Sequence, residues 1–325
     1  MSRKPREIKK VLVIKLGDLG GFVMALAAMK RIREAHPKAR INLLTTPPYE
    51  ALAKSSPYFN AVETDGRPSG FGEWLALIGR LRGAHYDRVY DLQNNGQSNS
   101  YFRMLRPFPP QWSGTAPGAS HAQKRRVREQ MHTLERHADQ LRIAGIWPDA
   151  PTDPGSAPPP DLSWILRRAP EQRPVAGGVK ARPIALLVPG GSARKKDKRW
   201  PIERYADLAA ALNTVGFDIV VIGGPEESAL ARAIQHKVQA RDLTGRTDFA
   251  QLAMLGARAT LAVGNDTGPL HLIAAAGAPT LALFSKSSDP VLDGPRGHVN
   301  VLQADNLTKL SVAEVARACQ RLIPS

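Results

Sequence analysis

The chain has 325 residues, of which 42% are hydrophobic and 23% are charged, a globular balance at a length that favours two domains. Its single cysteine, Cys319, excludes an internal disulfide and fits a reducing cytosol. No segment approaches the ~18 uncharged apolar residues of a membrane-spanning helix. The basic start lacks a signal-peptide pattern, so we expect a cytoplasmic protein, soluble or at most peripheral.

The net charge of +16 is unevenly distributed along the chain. Residues 1–150 carry 24 Lys and Arg against 13 Asp and Glu, whereas residues 181–325 carry 17 against 13. Such a basic excess indicates an anionic partner, although the alternative that much of this charge is simply solvated stays open. Nucleic acid is disfavoured as that partner, because no recognised binding motif is present and aromatic residues, at 6%, offer few stacking platforms.

Strand-like and helix-like segments alternate in the first half, which predicts a parallel sheet covered by helices. The expected strands are residues 10–16, 41–45, 61–64 and 86–92, with helices at 22–35 and 72–81 and a polar loop at 93–99. Residues 151–182 are dense in proline and glycine, which predicts a linker between domains, with at most a short helix at 162–168.

The alternation resumes after the proline-rich segment. Strands are expected at residues 184–188, 218–222, 259–263 and 280–284, and helices at 202–215, 226–240, 269–277 and 311–323. The pattern predicts an α/β chain with an N-terminal domain over 1–150, a linker over 151–182 and a C-terminal domain over 183–325. Two Rossmann-like domains facing a cleft are expected, and whether the last helix packs back on the first domain is left open.

The strongest chemical signal lies in residues 264–271, where a strand is followed by a short turn and a helix. Asp266 and Thr267 can cap this helix, and Gly268 allows close approach of a ligand to the backbone. The free N–H groups and the dipole at the helix start suit a diphosphate, and His271 lies about one turn further on. The alternative is an ordinary strand-to-helix turn in which the aspartate merely caps.

Two further clusters follow the ends of predicted strands, where open α/β sheets bind their ligands. In the first, Ser192 ends a glycine-rich loop and Lys198 offers a point charge for phosphate oxygens. In the second, Glu226 and Glu227 open a helix after two glycines, a position from which carboxylates accept hydrogen bonds from ribose hydroxyls. The alternatives are a plain basic loop and glutamates that complement the helix dipole.

Together these motifs resemble the ADP-heptose:lipopolysaccharide heptosyltransferase family, glycosyltransferase family 9. The resemblance covers nearly the whole chain and rests on residues 11–29, 91–93, 188–192, 198–201, 223–225, 243–245 and 264–271. It implies a GT-B fold and an inverting glycosyltransferase that uses an ADP-sugar as donor substrate, with no cofactor and no metal. It implies that the donor diphosphate and sugar contact Asp266, Thr267, Gly268 and His271. It also implies that Lys198 contacts the phosphates, that Ser192 lies beside them, and that Glu227 or Glu226 holds the ribose.

The resemblance further implies that the N-terminal domain binds the acceptor. In the family the acceptor is an anionic lipid-linked oligosaccharide, the inner core of lipopolysaccharide, at the cytoplasmic face of the inner membrane. The basic first domain fits such a partner and a peripheral membrane contact. The candidate acceptor-binding residues are Asp91, Gln93, Arg103, Arg128 and Arg136.

One position departs from the family pattern. Gly21 stands where the family usually carries the aspartate proposed as general base, and Asp18 lies three residues earlier in the same loop. An inverting displacement needs a base within hydrogen-bond reach of the attacking hydroxyl, so Asp18 is the leading candidate. Other candidates for this base are Asp91, His121 and His132.

Three functional hypotheses are compared. The first is an active glycosyltransferase with Asp18 as its base, and the second is a catalytically impaired nucleotide-sugar-binding protein that lost its base at Gly21. The third, a nucleic-acid-binding protein, is disfavoured for the reasons given above. A nicotinamide-dependent dehydrogenase is a further alternative, and it is disfavoured because the first loop, residues 17–21, lacks the G-x-G-x-x-G pattern.

Overall fold

The structure is a computed structural model that describes residues 7–167, 182–191 and 198–323. The chain divides into two compact units, Met1–Ala157 and Pro158–Ser325. Among the described residues, every helix is too short or too polar to cross a membrane.

The first unit is a six-stranded, entirely parallel sheet with helices packed on it. Its strands are β1 (Lys10–Ile14), β2 (Arg40–Leu44), β3 (Ala61–Glu63), β4 (Arg88–Asp91), β5 (Gln111–Gly114) and β6 (His121–Ala122). Its helices are α1 (Leu19–Ala35), α2 (Glu50–Ser55), α3 (Phe71–Gly83), α4 (Gly96–Met104), α5 (Arg125–Arg128) and α6 (Thr133–Ile143). A single 3-10 turn, Pro47–Tyr49, precedes α2. The order across the sheet is β3-β2-β1-β4-β5-β6.

The second unit repeats this arrangement with its own six-stranded parallel sheet. Its strands are β7 (Ile184–Val188), β8 (Asp218–Val221), β9 (Ala240–Asp242), β10 (Leu261–Asn265), β11 (Thr280–Ser285) and β12 (Val299–Ala304). Its helices are α7 (Ser163–Leu166), α8 (Ile202–Thr214), α9 (Ser228–Gln235), α10 (Phe249–Arg258), α11 (Gly268–Ala275), α12 (Pro290–Asp293) and α13 (Val312–Gln320). Its described residues also include the 3-10 turns Pro225–Glu227 and Leu307–Lys309. The order across the sheet is β12-β11-β10-β7-β8-β9.

The central strands owe their place to nearly continuous apolar sequence, because helices cover both faces of a parallel sheet. In β1 the segment Val11 to Ile14 is at most 1% exposed, and every residue of β10 and β11 is buried. The helix α13 packs against α8 within the second unit, where Val315 and Cys319 join the hydrophobic core.

Counted within each unit, the two strand orders are the same. In each sheet the chain moves outward in one direction and then, through a crossover, in the other. The order reverses between β1 and β4 in the first sheet and between β7 and β10 in the second. Ligands of open α/β sheets bind beside the carboxyl ends of the strands at such switch points. Ligand-binding residues are therefore expected in the loops that follow these four strands.

The expected alternation of strands and helices is confirmed, but two local predictions were wrong. The polar stretch at 93–99 is not a loop throughout, because α4 begins at Gly96, where the side chain of Asn95 accepts a hydrogen bond from Ser98 N. The predicted helix over 226–240 is interrupted as well. It consists of the turn Pro225–Glu227 followed by α9, and its end belongs to β9.

Candidate functional site

The loop after β10 brings the most strongly predicted residues together at the switch point of the second sheet. Asp266 and Thr267 follow the strand, Gly268 begins α11, and His271 lies in its first turn. Asp266 Oδ2 is 2.6 Å from Lys198 Nζ, and Asp266 Oδ1 is 3.9 Å from His271 Nε2. Burial raises the pKa of Asp266, but His271 and Lys198 beside the carboxylate outweigh it and hold that pKa well below its usual value.

Several buried polar atoms around the start of α11 lack a hydrogen-bond partner among the described residues. They are Thr267 Oγ1, His271 Nδ1 and Arg199 Nε. Buried polar atoms are nearly always satisfied, so unsatisfied ones gathered beside a helix N-terminus mark a candidate site for a polar ligand. Of these residues His271 is 6% exposed, which leaves its ring little access to bulk water.

Asn265, the last residue of β10, braces the neighbouring loop. Its Nδ2 donates to Pro189 O at 2.8 Å and to Gly190 O at 3.0 Å. Its Oδ1 accepts from Trp200 N at 3.0 Å and from Tyr205 Oη at 3.1 Å. These bonds use both donors and both lone pairs of a fully buried amide, so the segment next to Lys198 and the loop after β7 are held in register with β10.

Glu227 ties two glycine-rich loops together. Its Oε1 accepts from Gly191 N at 2.8 Å, and its Oε2 accepts from Gly224 N at 2.9 Å. A Cβ at Gly190 would lie 1.8 Å from Oε1, and one at Gly223 would lie 2.5 Å from Oε2, so a side chain at either position would displace the Glu227 carboxylate. The Glu227 carboxylate therefore already accepts a hydrogen bond from the backbone of the glycine-rich loop after β7.

Two predicted donor-binding residues of this unit remain to be placed, Glu226 and Ser192. Glu226 is exposed, in contrast to the half-buried Glu227. Ser192 lies outside the described residues. Arg199, which was not singled out, donates to Gly191 O and thereby holds the same loop from the other side.

In the first unit the loop after β1 forms the corresponding switch point. Asp18 is exposed and caps α1, with Oδ1 accepting from Gly21 N at 2.6 Å. Gly17 has φ +133°, a conformation that favours glycine, and a Cβ there would lie 3.1 Å from Tyr49 Cε2. Tyr49 in turn stacks on Phe22 of α1, with ring centroids 5.2 Å apart.

Lys15 is the first residue after β1 and is 6% exposed. Burial lowers the pKa of its ammonium group to about 8, against the opposing effect of the nearby Asp18 carboxylate. A Cβ at Gly21 would lie 3.0 Å from both Lys15 Nζ and Asp18 Oδ1. Position 21 therefore borders two charged side chains.

The loop after β4 contains two of the candidate acceptor-binding residues, and both are used internally. Asp91 is fully buried, and its Oδ1 accepts from Gln93 N at 3.0 Å and Asn94 N at 2.9 Å. Burial raises the pKa of Asp91 to about 6. Gln93 Oε1 accepts from Leu16 N at 2.9 Å, so this side chain fixes the loop after β1 against the loop after β4.

The candidate arginines occupy different places. Arg128 donates to Gln123 Oε1 at 2.8 Å, and burial, together with the charge of Arg136, lowers its pKa to about 10. Arg136 Nε donates to Met131 O at 2.5 Å. Arg103 is exposed in the last turn of α4 and donates to Ser100 Oγ at 2.8 Å. The structure thus brings Arg128 and Arg136 together and leaves Arg103 apart from them.

Two histidines were alternative candidates for the base. His132 is buried and caps α6, with Nδ1 accepting from Leu134 N at 3.2 Å. His121 is half-buried in β6, and burial lowers its pKa. Among the described residues, no group of three or more His, Cys, Asp and Glu side chains is placed to hold a metal ion.

Comparison with known proteins identifies the family. The family model of glycosyltransferase family 9 (heptosyltransferase) matches residues 74–316. Lipopolysaccharide heptosyltransferase 2 of Escherichia coli K12 is 27% identical over 315 residues, covering 89% of this chain and 86% of that protein.

Solved structures of the family share the fold. ADP-heptose lipopolysaccharide heptosyltransferase II of E. coli superposes with a TM-score of 0.75 at 23% identity, covering 96% of this chain and 98% of the other. A family 9 glycosyltransferase of Veillonella parvula gives 0.79 at 20% identity, covering 97% of each chain. The predicted α/β, GT-B fold is therefore confirmed. The chain belongs to glycosyltransferase family 9, the heptosyltransferase family, and is a glycosyltransferase.

Proposed function

We propose that this enzyme transfers a heptose from ADP-heptose to the core of a lipopolysaccharide acceptor, with inversion at the anomeric carbon and without a metal ion. The names of its relatives support the substrates, since they include lipopolysaccharide heptosyltransferases 2 and 3 of E. coli. One related structure is heptosyltransferase WaaC of E. coli with ADP. In this chain the donor would bind to the second unit.

The observation that carries the donor site is the set of unsatisfied buried atoms at the start of α11. Arg199 Nε and the Thr267 hydroxyl offer donors to diphosphate or sugar oxygens, and His271 Nδ1 is a third polar atom that a sugar hydroxyl would satisfy. Lys198 supplies the positive charge, which in this structure is paired with Asp266. A bound diphosphate would share that ammonium group. The adjoining Glu227 would reach the ribose through the lone pairs that Gly191 and Gly224 leave open.

The proposed roles of the residues follow from where charge develops as the sugar is transferred. As the bond between the anomeric carbon and the ADP oxygen breaks, negative charge grows on the diphosphate, and Lys198 with the N–H groups of α11 stabilises it. The acceptor hydroxyl attacks from the opposite face and forms the new glycosidic bond, which inverts the configuration. Its proton goes to a carboxylate, and we assign Asp18 to that role because it is exposed and fixed at the start of α1.

The acceptor would bind to the first unit. The excess of basic residues in 1–150 suits an anionic, lipid-linked oligosaccharide and a peripheral contact at the cytoplasmic face of the inner membrane. Arg128 and Arg136 are the candidates that lie near one another. Nucleic acid is not proposed as a partner.

The test is release of ADP from ADP-heptose in the presence of a core-oligosaccharide acceptor. We expect turnover that persists in excess EDTA and a product of inverted anomeric configuration by NMR. The control is Asp266→Ala, which removes the partner of Lys198. If wild-type protein releases no more ADP than this variant, the transfer reaction is wrong, and a product that retains configuration would refute inversion alone.

A further inference from the structure

We propose that Lys15 is a positioning residue for the Asp18 carboxylate and that Gly21 leaves the space these two groups share, so that position 18 supplies the reactive carboxylate of this loop. The inference rests on the proposed function, since it concerns the group that would deprotonate the acceptor. It goes further by assigning roles to Lys15 and to the absence of a side chain at position 21.

The geometry around Gly21 is the first support. A Cβ built on this glycine would lie 3.0 Å from Asp18 Oδ1, 3.2 Å from Asp18 Oδ2 and 3.0 Å from Lys15 Nζ. Contacts this short are closer than nearly all real Cβ contacts, so any larger residue would displace the carboxylate, the ammonium group or both. The space beside Gly21 is therefore bordered by an anion and a cation.

The position of Asp18 is fixed while its charge stays accessible. The hydrogen bond from Gly21 N to Oδ1 orients the side chain at the N-cap of α1. The residue is nevertheless exposed, so a substrate hydroxyl can approach it. A preoriented and accessible carboxylate is what a general base requires. Capping alone would need no buried cation beside it.

Lys15 is the second support, because a buried ammonium group is costly unless it interacts with anions. The charged groups that act on it are Asp18, Asp91, Arg128 and Arg67, and His137 is also near enough to be affected by it. Asp18 makes the largest favourable electrostatic contribution to the charged form of Lys15. Lys15 is therefore coupled electrostatically to Asp18, although Lys15 itself is nearly inaccessible.

The conservative substitution Asp18→Asn tests the carboxylate. Asparagine caps helices as well as aspartate does, so the fold should persist, and the melting temperature should fall only by what the loss of the anion near Lys15 costs. The turnover number should fall by roughly 10²- to 10⁴-fold, the usual contribution of a general base, while the KM for ADP-heptose is unchanged. A variant that keeps wild-type turnover would overturn the assignment.

An exchange of positions tests the role of Gly21. Gly21→Asp alone should lower turnover, because it crowds Asp18 and places a second negative charge beside the first. In the double variant Asp18→Ser, Gly21→Asp, serine keeps the cap and the carboxylate returns to the same space, so part of the turnover lost in Asp18→Ser should recover. If Gly21→Asp alone raises turnover, Gly21 marks a lost base and the inference is wrong.

Lys15→Met tests the positioning role. Methionine keeps much of the volume without the charge, so turnover should fall about ten-fold or more, the effect of removing a neighbouring opposite charge, while the KM for ADP-heptose is unchanged. A purely packing role predicts wild-type turnover here, which would contradict the inference.

A measurement without turnover separates this inference from the proposed function. The pKa of Lys15, followed by NMR of its ¹³Cε signal and assigned with Lys15→Met, should lie near 8 in the wild type and fall further in Asp18→Asn. If it does not move, the coupling is absent and the inference fails even when transfer is observed. If no transfer occurs but the pKa does move, the proposed function fails and the electrostatic coupling of Lys15 to Asp18 stands.

Discussion

Among single residues, Asp266 in the proposed donor site has a protonation state that affects the stability of the fold. Its pKa is held below the usual value although burial opposes this, so the ionised form stabilises the fold above the unfolded-state pKa of about 4. That contribution is lost as the pH falls below 4. We expect Asp266→Asn to be roughly 2 kcal/mol less stable than wild type at pH 7, and the difference to shrink towards pH 3.

Urea denaturation at several pH values measures this prediction. Asp305→Asn, at an exposed position of the same unit, is the matched control and should stay within about 0.5 kcal/mol of wild type throughout. A difference for Asp266→Asn that is constant between pH 7 and pH 3 would mean that the ion pair with Lys198 does not set the pH dependence.

Lys15 has the opposite effect on stability. Its pKa falls from 10.5 to about 8 on folding, so between those values the unfolded chain binds more protons and stability rises with pH. Below pH 8 the buried charge of Lys15 costs the fold roughly 3 kcal/mol. Lys15→Met should therefore stabilise the protein at pH 7, and the gain should shrink by pH 10.

The exposed Lys38 provides the control, because Lys38→Met should leave the free energy of unfolding nearly unchanged. Destabilisation by Lys15→Met at neutral pH would show that packing, and not the buried charge, dominates at this position. If Lys15→Met is more stable but less active than wild type, the lysine serves the reaction at a cost in stability.

Some of these residues could be predicted from sequence and others could not. Asp266 and His271 lie in a local strand–turn–helix pattern, which a sequence displays directly. The pairing of Lys198 with Asp266 joins residues 68 positions apart and depends on how two loops meet. Lys15 interrupts an apolar strand, and nothing local shows that Asp18 and Gly21 lie against it.

At the scale of elements, Asn265 connects β10 with the loop after β7 and the start of α8. Asn265→Leu keeps the volume but leaves Pro189 O, Gly190 O and Trp200 N without partners, so we expect a loss of roughly 2–4 kcal/mol and weaker ADP binding. Tyr205→Phe removes a single bond to the same amide and should cost only about 1 kcal/mol.

Chemical denaturation and calorimetry with ADP measure these two effects. Tyr205→Phe should bind ADP as wild type does, because the loop after β7 keeps its bonds to Asn265. If Asn265→Leu and Tyr205→Phe lose equal ADP affinity, the Asn265 amide does not hold the loop after β7 in place for ADP.

Two helical glycines should respond with opposite signs to alanine. Gly79 in α3 is exposed and a Cβ there meets nothing within 4 Å, so Gly79→Ala should stabilise by about 0.5–1 kcal/mol. In α10, a Cβ at Gly256 would lie 2.9 Å from Ile273 O of α11. Gly256→Ala should therefore destabilise by roughly 1–3 kcal/mol, since the close packing of these helices would be lost.

Thermal unfolding compares the two variants directly. Gly256→Ala should also weaken ADP binding, because it shifts the helix whose first turn contains His271. If both alanines stabilise the protein, the approach of α10 to α11 is looser than the structure indicates.

The regular elements were easier to predict than their exceptions. The apolar runs of β1, β7 and β11 are found within two residues of the predicted ends, because buried parallel strands have continuous apolar sequence. The helix α6 was missed, since buried His137, Asp139 and Gln140 conceal its apolar face. Polar side chains can be buried in this way only when they form hydrogen bonds with residues elsewhere in the fold. Gln140 Nε2, for example, donates to Asp91 O at 3.0 Å.

For the whole molecule, the repeated strand order follows from the repeated sequence pattern. Each half alternates strands with helices, and right-handed crossovers then leave few possible sheets. In both units some candidate residues follow the strands where the order reverses: Asp18 follows β1, Asp91 ends β4, and Asp266 follows β10. The sequence also distributes charge unequally, with most of the net positive charge in residues 1–150. That inequality should be visible in the kinetics.

An anionic acceptor that binds the more basic first unit should be more sensitive to salt than the donor. Residues 1–150 have 24 basic and 13 acidic side chains, against 17 and 13 in 181–325. Raising the salt concentration from about 0.05 M to 0.5 M shortens the Debye length and screens long-range attraction. We therefore expect the KM for the acceptor to rise several-fold more than the KM for ADP-heptose. The matched control is an acceptor without phosphate groups, whose KM should depend less on salt; equal salt dependence of both acceptors would mean that the basic excess is merely solvated.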